Sequence, residues 1–216
     1  MTKYILCKLK YLLLYKKTME HFGFNNFNKH LFSNTGFGIQ KYYEFRFYEI
    51  INLIKKYNIK TIVEIGSGRT TFLFNNFTKN NTLSIEQDNN WIEILKSYNS
   101  NWNIEKGEVI SYKNGAKFKG LKSSKMDLLY IDGPYIKMVA NTFTTKPAYY
   151  DFENILDFKN LPKVILVDGR TDTVDLILKN EKITNKYIFK GSFSWSKERK
   201  INGFIHTNYH SILELK

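Results

Sequence analysis

The stretch Thr61-Ile62-Val63-Glu64-Ile65-Gly66-Ser67-Gly68-Arg69-Thr70-Thr71 decides how this chain is read. Thr61 to Ile65 is a short β-branched run, the composition of a strand. It breaks at Gly66, and Gly68 follows two residues later. Glycine lets the chain turn sharply and lets another group approach the backbone closely. From Arg69 to Phe77 the pattern is helical. Strand, glycine turn and helix form the unit in which open α/β proteins hold ligands at the carboxyl ends of their strands.

The alternation continues on both sides of this stretch. Upstream, Phe47, Ile50, Ile51 and Ile54 repeat at helical spacing and predict a helix over 41–57, ended by Asn58. Downstream, Thr82 to Glu86 predicts strand two. Asp88 caps a helix carrying Trp91, Ile94, Leu95 and Tyr98. Asn103 to Glu105 is strand three, ending at Gly107. Asp127 to Ile131 is strand four, ending at Asp132-Gly133-Pro134, and a polar loop covers 135–147. A helix with Phe152, Ile155 and Leu156 leads to strand five, Lys163 to Val167. A further helix lies around Val174 to Leu178. Two late strands, Lys186 to Phe189 and Ile201 to His206, are joined by a polar loop and no helix, so they should pair antiparallel. The expected fold class is α/β: a Rossmann-like, seven-stranded, mostly parallel sheet with an antiparallel C-terminal hairpin and helices on both faces. An N-terminal helical extension precedes it.

The 216 residues suit one domain with a sizeable core. A content of 43% hydrophobic and 16% aromatic residues excludes a disordered chain. The net charge is +13. It fits an acidic partner such as nucleic acid, a phosphorylated sugar or a membrane surface, and it equally fits a surface merely rich in lysine. The single cysteine, Cys7, cannot form an internal disulfide, which points to a reducing, cytoplasmic setting. No apolar run reaches the length of about 20 residues that spans a bilayer. Tyr4 to Tyr15 reads as an amphipathic helix with Ile5, Leu9 and Leu12 on one stripe. It either packs on the domain or, through Lys16-Lys17, touches a membrane surface.

Glu64-x-Gly66-x-Gly68 resembles the first motif of the class I S-adenosylmethionine (SAM) dependent methyltransferases, and the resemblance covers about 60–210 of the chain. It implies that Glu64, Gly66, Ser67 and Gly68 bind SAM. Arg69-Thr70 stands where a third glycine is common. Glu86, about 20 residues on at the end of strand two, is placed to hold ribose hydroxyls, with Gln87 beside it. Glu108 takes the position of an acid that meets the adenine amino group. A nicotinamide enzyme would want glycine at Thr71. The domain reading is a basic, aromatic extension over 1–40, with Thr35 to Gln40 as part of a lid, and a methyltransferase domain over 41–216.

The acceptor side is Asp132-Gly133-Pro134-Tyr135. It resembles the Asp-ended strands of small-molecule O-methyltransferases, where the acid is a base, a metal ligand or part of the cofactor site. It resembles less well the Asp-Pro-Pro-Tyr of adenine amino-methyltransferases, whose aromatic ring stacks on a flipped base. Asp168, at the end of strand five, should lie beside Asp132. Together they suit a second base or a divalent metal, although Asp-Gly departs from the Asp-Asn that a metal-dependent pattern wants. Arg170 and Tyr135 are the candidate substrate-binding residues, Arg170 as an anion clamp. His206 is the candidate histidine base, with His210 nearby. The pair Ile131-Asp132-Gly133-Pro134 and Val167-Asp168-Gly169-Arg170 also resembles enzymes of surface-polysaccharide and sugar modification, so the expected function is SAM-dependent O-methylation of a small polar acceptor such as a sugar or sugar-linked group of a surface polysaccharide. The alternatives are a nucleic-acid methyltransferase and a silent methyltransferase-like binding module.

Overall fold

The structure is a computed structural model and describes residues 13, 16–35, 43–113, 115–134, 148–194, 199–201, 204–206 and 209–216. The N-terminal amphipathic helix, the 36–40 part of the lid and Tyr135 with its loop lie outside these residues.

Its centre is a seven-stranded sheet. Strands β1 (Ile62–Ile65), β2 (Thr82–Glu86), β3 (Asn103–Lys106), β6 (Leu128–Ile131), β8 (Val164–Asp168), β9 (Tyr187–Ser194) and β12 (Tyr209–Leu215) lie in the order β3-β2-β1-β6-β8-β12-β9. β1, β2, β3, β6 and β8 pair in parallel, and β12 runs antiparallel to both β8 and β9. β1, β6 and β8 are buried along their whole length, as parallel strands covered on two faces must be. The chain order reverses between β1 and β6, so the crevice for a ligand opens at the carboxyl ends of these two strands.

One face carries α1 (Phe24–Thr35), α2 (Tyr43–Lys56), α3 (Arg69–Thr78) and α4 (Asn89–Tyr98). Helix α2 buries Phe47, Ile50, Ile51 and Ile54, the stripe its spacing predicts. Asn58 adopts φ 48°, a left-handed turn that stops the helix. Asp88 accepts a hydrogen bond from the Asn90 backbone N–H and caps α4. α1 adds Phe24, Phe27 and Leu31 to the same core. The other face carries α5 (Phe152–Ile155), α6 (Thr171–Leu178) and α7 (Glu181–Thr184), packed on Val63, Leu129, Ile165 and Leu213.

Two regions differ from the sequence reading. The last strand of the sheet is Tyr209–Leu215, not Ile201 to His206. Ile212 and Leu213 bury on opposite faces, which a strand inside a two-faced sheet requires, but His210 and Ser211 disguise the run as polar. Ile201 to His206 splits into β10 (Arg199–Ile201) and β11 (Phe204–His206), a separate two-stranded ribbon. Second, the connection from β3 to β6 contains a hairpin, β4 (Val109–Tyr112) and β5 (Gly115–Phe118). β7 (Ala148–Tyr149) adds to it in parallel as a third strand.

Candidate functional site

The turn after β1 is held against the turn after β6 by two glycines. Gly66 has φ 88°, a conformation other residues rarely adopt. A Cβ on Gly66 would stand 2.7 Å from the Gly133 nitrogen, and a Cβ on Gly133 would stand 2.7 Å from the Gly66 nitrogen. Backbone rests on backbone, and neither position has room for a side chain. The backbone N–H of Asp132 donates to the Ile65 carbonyl at 2.8 Å and locks the register of the contact. The two motifs singled out by the sequence are therefore neighbours in space.

Gly68 behaves differently. Its φ of 171° is ordinary extended backbone, and a Cβ there would meet nothing within 4 Å. Among the described residues nothing fills the space beside this position.

Glu64 is fully buried. Thr71 Oγ1 donates to its Oε2 at 2.7 Å, Ser84 Oγ donates to the same oxygen at 2.6 Å, and Thr70 Oγ1 donates to Oε1. Burial, with the nearby Asp132 charge, pushes its pKa up to about 7, against the pull of the three hydroxyls. Thr71 also accepts from the Gly68 backbone N–H at 2.8 Å. Glu64 thus braces the glycine turn from inside through Thr71. Thr71 stands where a dinucleotide motif would have glycine, and its hydroxyl explains why this chain has none.

Glu86 closes the turn from the other side. Its Oε2 accepts from Ser67 N at 2.8 Å and Ser67 Oγ at 3.1 Å, and its Oε1 accepts from Gln87 N at 2.8 Å and Asp88 N at 2.9 Å. Burial raises its pKa, and the backbone donors oppose that. The Ser67 hydroxyl is the longest of the four bonds and can rotate, so it is the donor that a ribose hydroxyl would replace. An adenosyl ligand fits these residues: a carboxylate for a diol and an open glycine backbone next to it. Gln87 borders this corner through its own backbone. Glu108 is exposed and ion-paired with Lys119 at 3.3 Å, a partner the sequence reading did not foresee.

Of the four strand-end carboxylates Glu64, Glu86, Asp132 and Asp168, only Asp132 is incompletely buried. Arg170, read from sequence as an anion clamp, is 1% exposed. Its Nη2 donates to the Asp132 carbonyl at 2.6 Å and to the Pro134 carbonyl at 2.8 Å, so it straps the turn that carries Asp132. Asp168 is also buried: Tyr130 Oη donates to its Oδ2 at 2.6 Å. His210 is its Cα partner across β8 and β12, with Nε2 4.0 Å from Asp168 Oδ1 and Nδ1 2.9 Å from Glu49 Oε2 on α2. His206 lies on β11, and its side chain is outside the described residues. The histidine brought to a strand-end carboxylate is His210. Among the described residues no cluster of three or more His, Cys, Asp or Glu side chains could hold a metal ion, and no helix is long and apolar enough to cross a membrane.

Sequence reasoning missed the hydroxyl cage of Thr70, Thr71 and Ser84, the glycine contact at Gly133, the Tyr130 hydroxyl on Asp168 and the Glu49 partner of His210. Only Gly133 carried a local signal, being the residue after a strand-end acid.

No protein-family model matches the sequence, and no curated protein does. Solved structures that resemble the chain include the N-methyltransferase NodS of Bradyrhizobium japonicum WM9, crystallised with S-adenosyl-L-homocysteine. It is 10% identical over 82% of this chain and 89% of its own, with a TM-score of 0.48. The methyltransferase domain of a bacterial Hen1 is 10% identical over 81% of this chain and all of its own, with a TM-score of 0.47. A TehB-like SAM-dependent methyltransferase of Corynebacterium glutamicum is 12% identical over 91% and 99%, with a TM-score of 0.42. Likeness of this degree assigns no activity, and what the chain can do has to come from its own residues.

Proposed function

We propose that the chain is a SAM-dependent methyltransferase acting on a hydroxyl of a sugar or sugar-linked group. The observation that supports this most is the contact between Gly66 and Gly133, which sets the cofactor-type turn against the one strand-end carboxylate left partly open, Asp132. In this reading Gly66, Ser67 and Gly68 present backbone to the methionine part, and Glu86 with Gln87 holds the ribose. Glu64 braces the turn without touching the ligand. SAM supplies an electrophilic methyl group on a sulfonium. Asp132 accepts the proton of the acceptor hydroxyl as the oxygen takes the methyl. Such a reaction depends chiefly on alignment, and Arg170 keeps Asp132 in place through its backbone carbonyl. Asp168 supports this edge from within. Tyr135 remains a proposed acceptor contact and His206 a proposed second base, and no metal is required by this scheme. The net charge of +13 is compatible with an anionic acceptor.

Calorimetry with SAM tests the cofactor half. Gly68→Ala should weaken binding at least tenfold while melting stays at the wild-type temperature, because the new Cβ meets only the ligand's space. Melting that falls with binding unchanged would reverse the assignment of that space. For the acceptor half, Asp132→Asn should bind SAM normally and lose about 10²–10⁴ in turnover, the range for a general base. Full activity in Asp132→Asn would remove it from the chemistry.

A further inference from the structure

The hairpin between β3 and β6 builds a surface that the methyl-transfer reading does not use. Cα partners Ile110↔Lys117, Tyr112↔Gly115 and Gly115↔Ala148 share one face of the β4-β5-β7 sheet. The opposite face buries Ala116, Phe118 and Tyr149 in the core. On the outer face the Tyr150 ring lies across Gly115. A Cβ on Gly115 would stand 2.6 Å from that ring and 2.3 Å from the Ala148 carbonyl oxygen. This glycine makes room for an aromatic platform. Tyr150 meets Tyr112 edge to face, with centroids 5.2 Å apart. Tyr112, the last residue of the edge strand β4, is 38% exposed.

Lysines surround the platform. Lys117 Nζ lies 4.5 Å from the Tyr112 centroid, and Lys113 Nζ lies 5.4 Å and 5.6 Å from the Tyr112 and Tyr150 centroids. The stretch 106–125 carries six lysines and one acid, and that acid, Glu108, is paired with Lys119. The buried Asp151 lies within electrostatic reach of Lys117. Two aromatic rings on one sheet face, with long-stemmed ammonium groups lying over them, match a strand that offers unpaired bases and regularly spaced phosphates. A duplex hides its base faces, and a plain polyanion has no flat group for the rings.

We propose that the outer face of β4-β5-β7 docks single-stranded nucleic acid, with Tyr112 and Tyr150 stacking on bases and Lys113 and Lys117 holding phosphates. The surface begins at Val109, three residues after β3 ends at Lys106. This deepens the reading above by naming the carrier of the acceptor sugar, yet the docking stands or falls by itself.

The test is fluorescence anisotropy of a labelled 12-nucleotide oligouridine with the full chain, beside SAM calorimetry on the same proteins. Tyr112→Ala and Tyr150→Ala should each raise Kd about tenfold or more, the usual loss of a base-stacking ring. Lys113→Glu with Lys117→Glu should flatten the slope of log K against log salt by about 1.4, two phosphate contacts at about 0.7 each. SAM affinity should not change in any of them. Tyr112→Ala is the decisive variant, because Tyr112 is exposed and its loss leaves the core intact; melting curves check Tyr150→Ala. Wild-type affinity in Tyr112→Ala overturns the proposal. Equal affinity for duplex RNA, or for an oligogalacturonate of matched charge with the same tyrosine dependence, overturns it too. Strand binding that passes every arm while wild-type protein fails to bind SAM would leave the docking surface standing and remove the methyltransferase reading.

Discussion

The corner around Glu64 and Glu86 and the corner around Asp132 and Asp168 are both built from strand-end carboxylates on one sheet, but they are assembled in opposite ways. In the first corner every partner is close in sequence: Thr70, Thr71, Ser84, Ser67, Gln87 and Asp88 all lie between β1 and the start of α4. In the second, Arg170 reaches back to Asp132, Tyr130 reaches forward to Asp168, and His210 joins Glu49 across 161 residues. A local corner can be set by one strand-turn-helix unit. The distant corner exists only after β12 has been inserted between β8 and β9. The glycine pair Gly66 and Gly133 is where the two corners meet.

Breaking that junction should have the largest effect. Gly133→Ala places a Cβ 2.7 and 2.8 Å from backbone atoms that cannot rotate away. It should cost about 3 kcal/mol or more in stability, beyond the usual overpacking range. Urea denaturation measures it, and a stability within about 1 kcal/mol of wild type would show that the turns can separate.

The local corner should show itself in pH dependence. Glu64 holds its proton up to about pH 7, against an ordinary value of 4.5. Between these values the folded chain keeps a proton that the unfolded chain has released, so stability falls as pH rises from about 4.5 to about 7 and levels off above. The fall reaches about 3 kcal/mol for this group. Glu64→Gln should abolish that slope in denaturation curves taken across the window, and a slope that survives the substitution would assign it elsewhere.

The distant corner should respond least, because several side chains share the load. Tyr130→Phe removes one hydroxyl from Asp168 and leaves His210 nearby, a loss of about 1–2 kcal/mol. Melting should drop by a few degrees. A variant that melts normally but loses turnover would bring Asp168 into the chemistry and erase the contrast between the corners.

This contrast also explains what is legible in the sequence. β1, the Gly66 turn and α3 are legible because strand, turn and helix signals agree over a dozen residues. Glu86 is legible by spacing. The α2 stripe is legible because Phe47, Ile50, Ile51 and Ile54 all serve one interface. β12 is not, since His210 and Ser211 are polar and buried, and only their partners on β8 and α2 make that tolerable. Arg170 reads as an anion clamp until the carbonyls of Asp132 and Pro134 are placed beside it. The hairpin β4-β5 is not legible either, because each strand has only four residues and its inner face offers only Val109, Ala116 and Phe118.

The packing of α1 has a practical consequence for anyone handling fragments of this protein. Phe27 stacks on Phe72 with centroids 4.7 Å apart and meets Tyr98 and Trp102 edge to face, while Phe24 meets Phe47. A protease cut or an expression boundary placed just before α2, where composition invites one, would strip the cover from these rings. The remaining piece would keep every residue of the candidate site and still present a sticky aromatic face to its neighbours. Poor solubility of such a fragment would then reflect a missing lining, and not a damaged site.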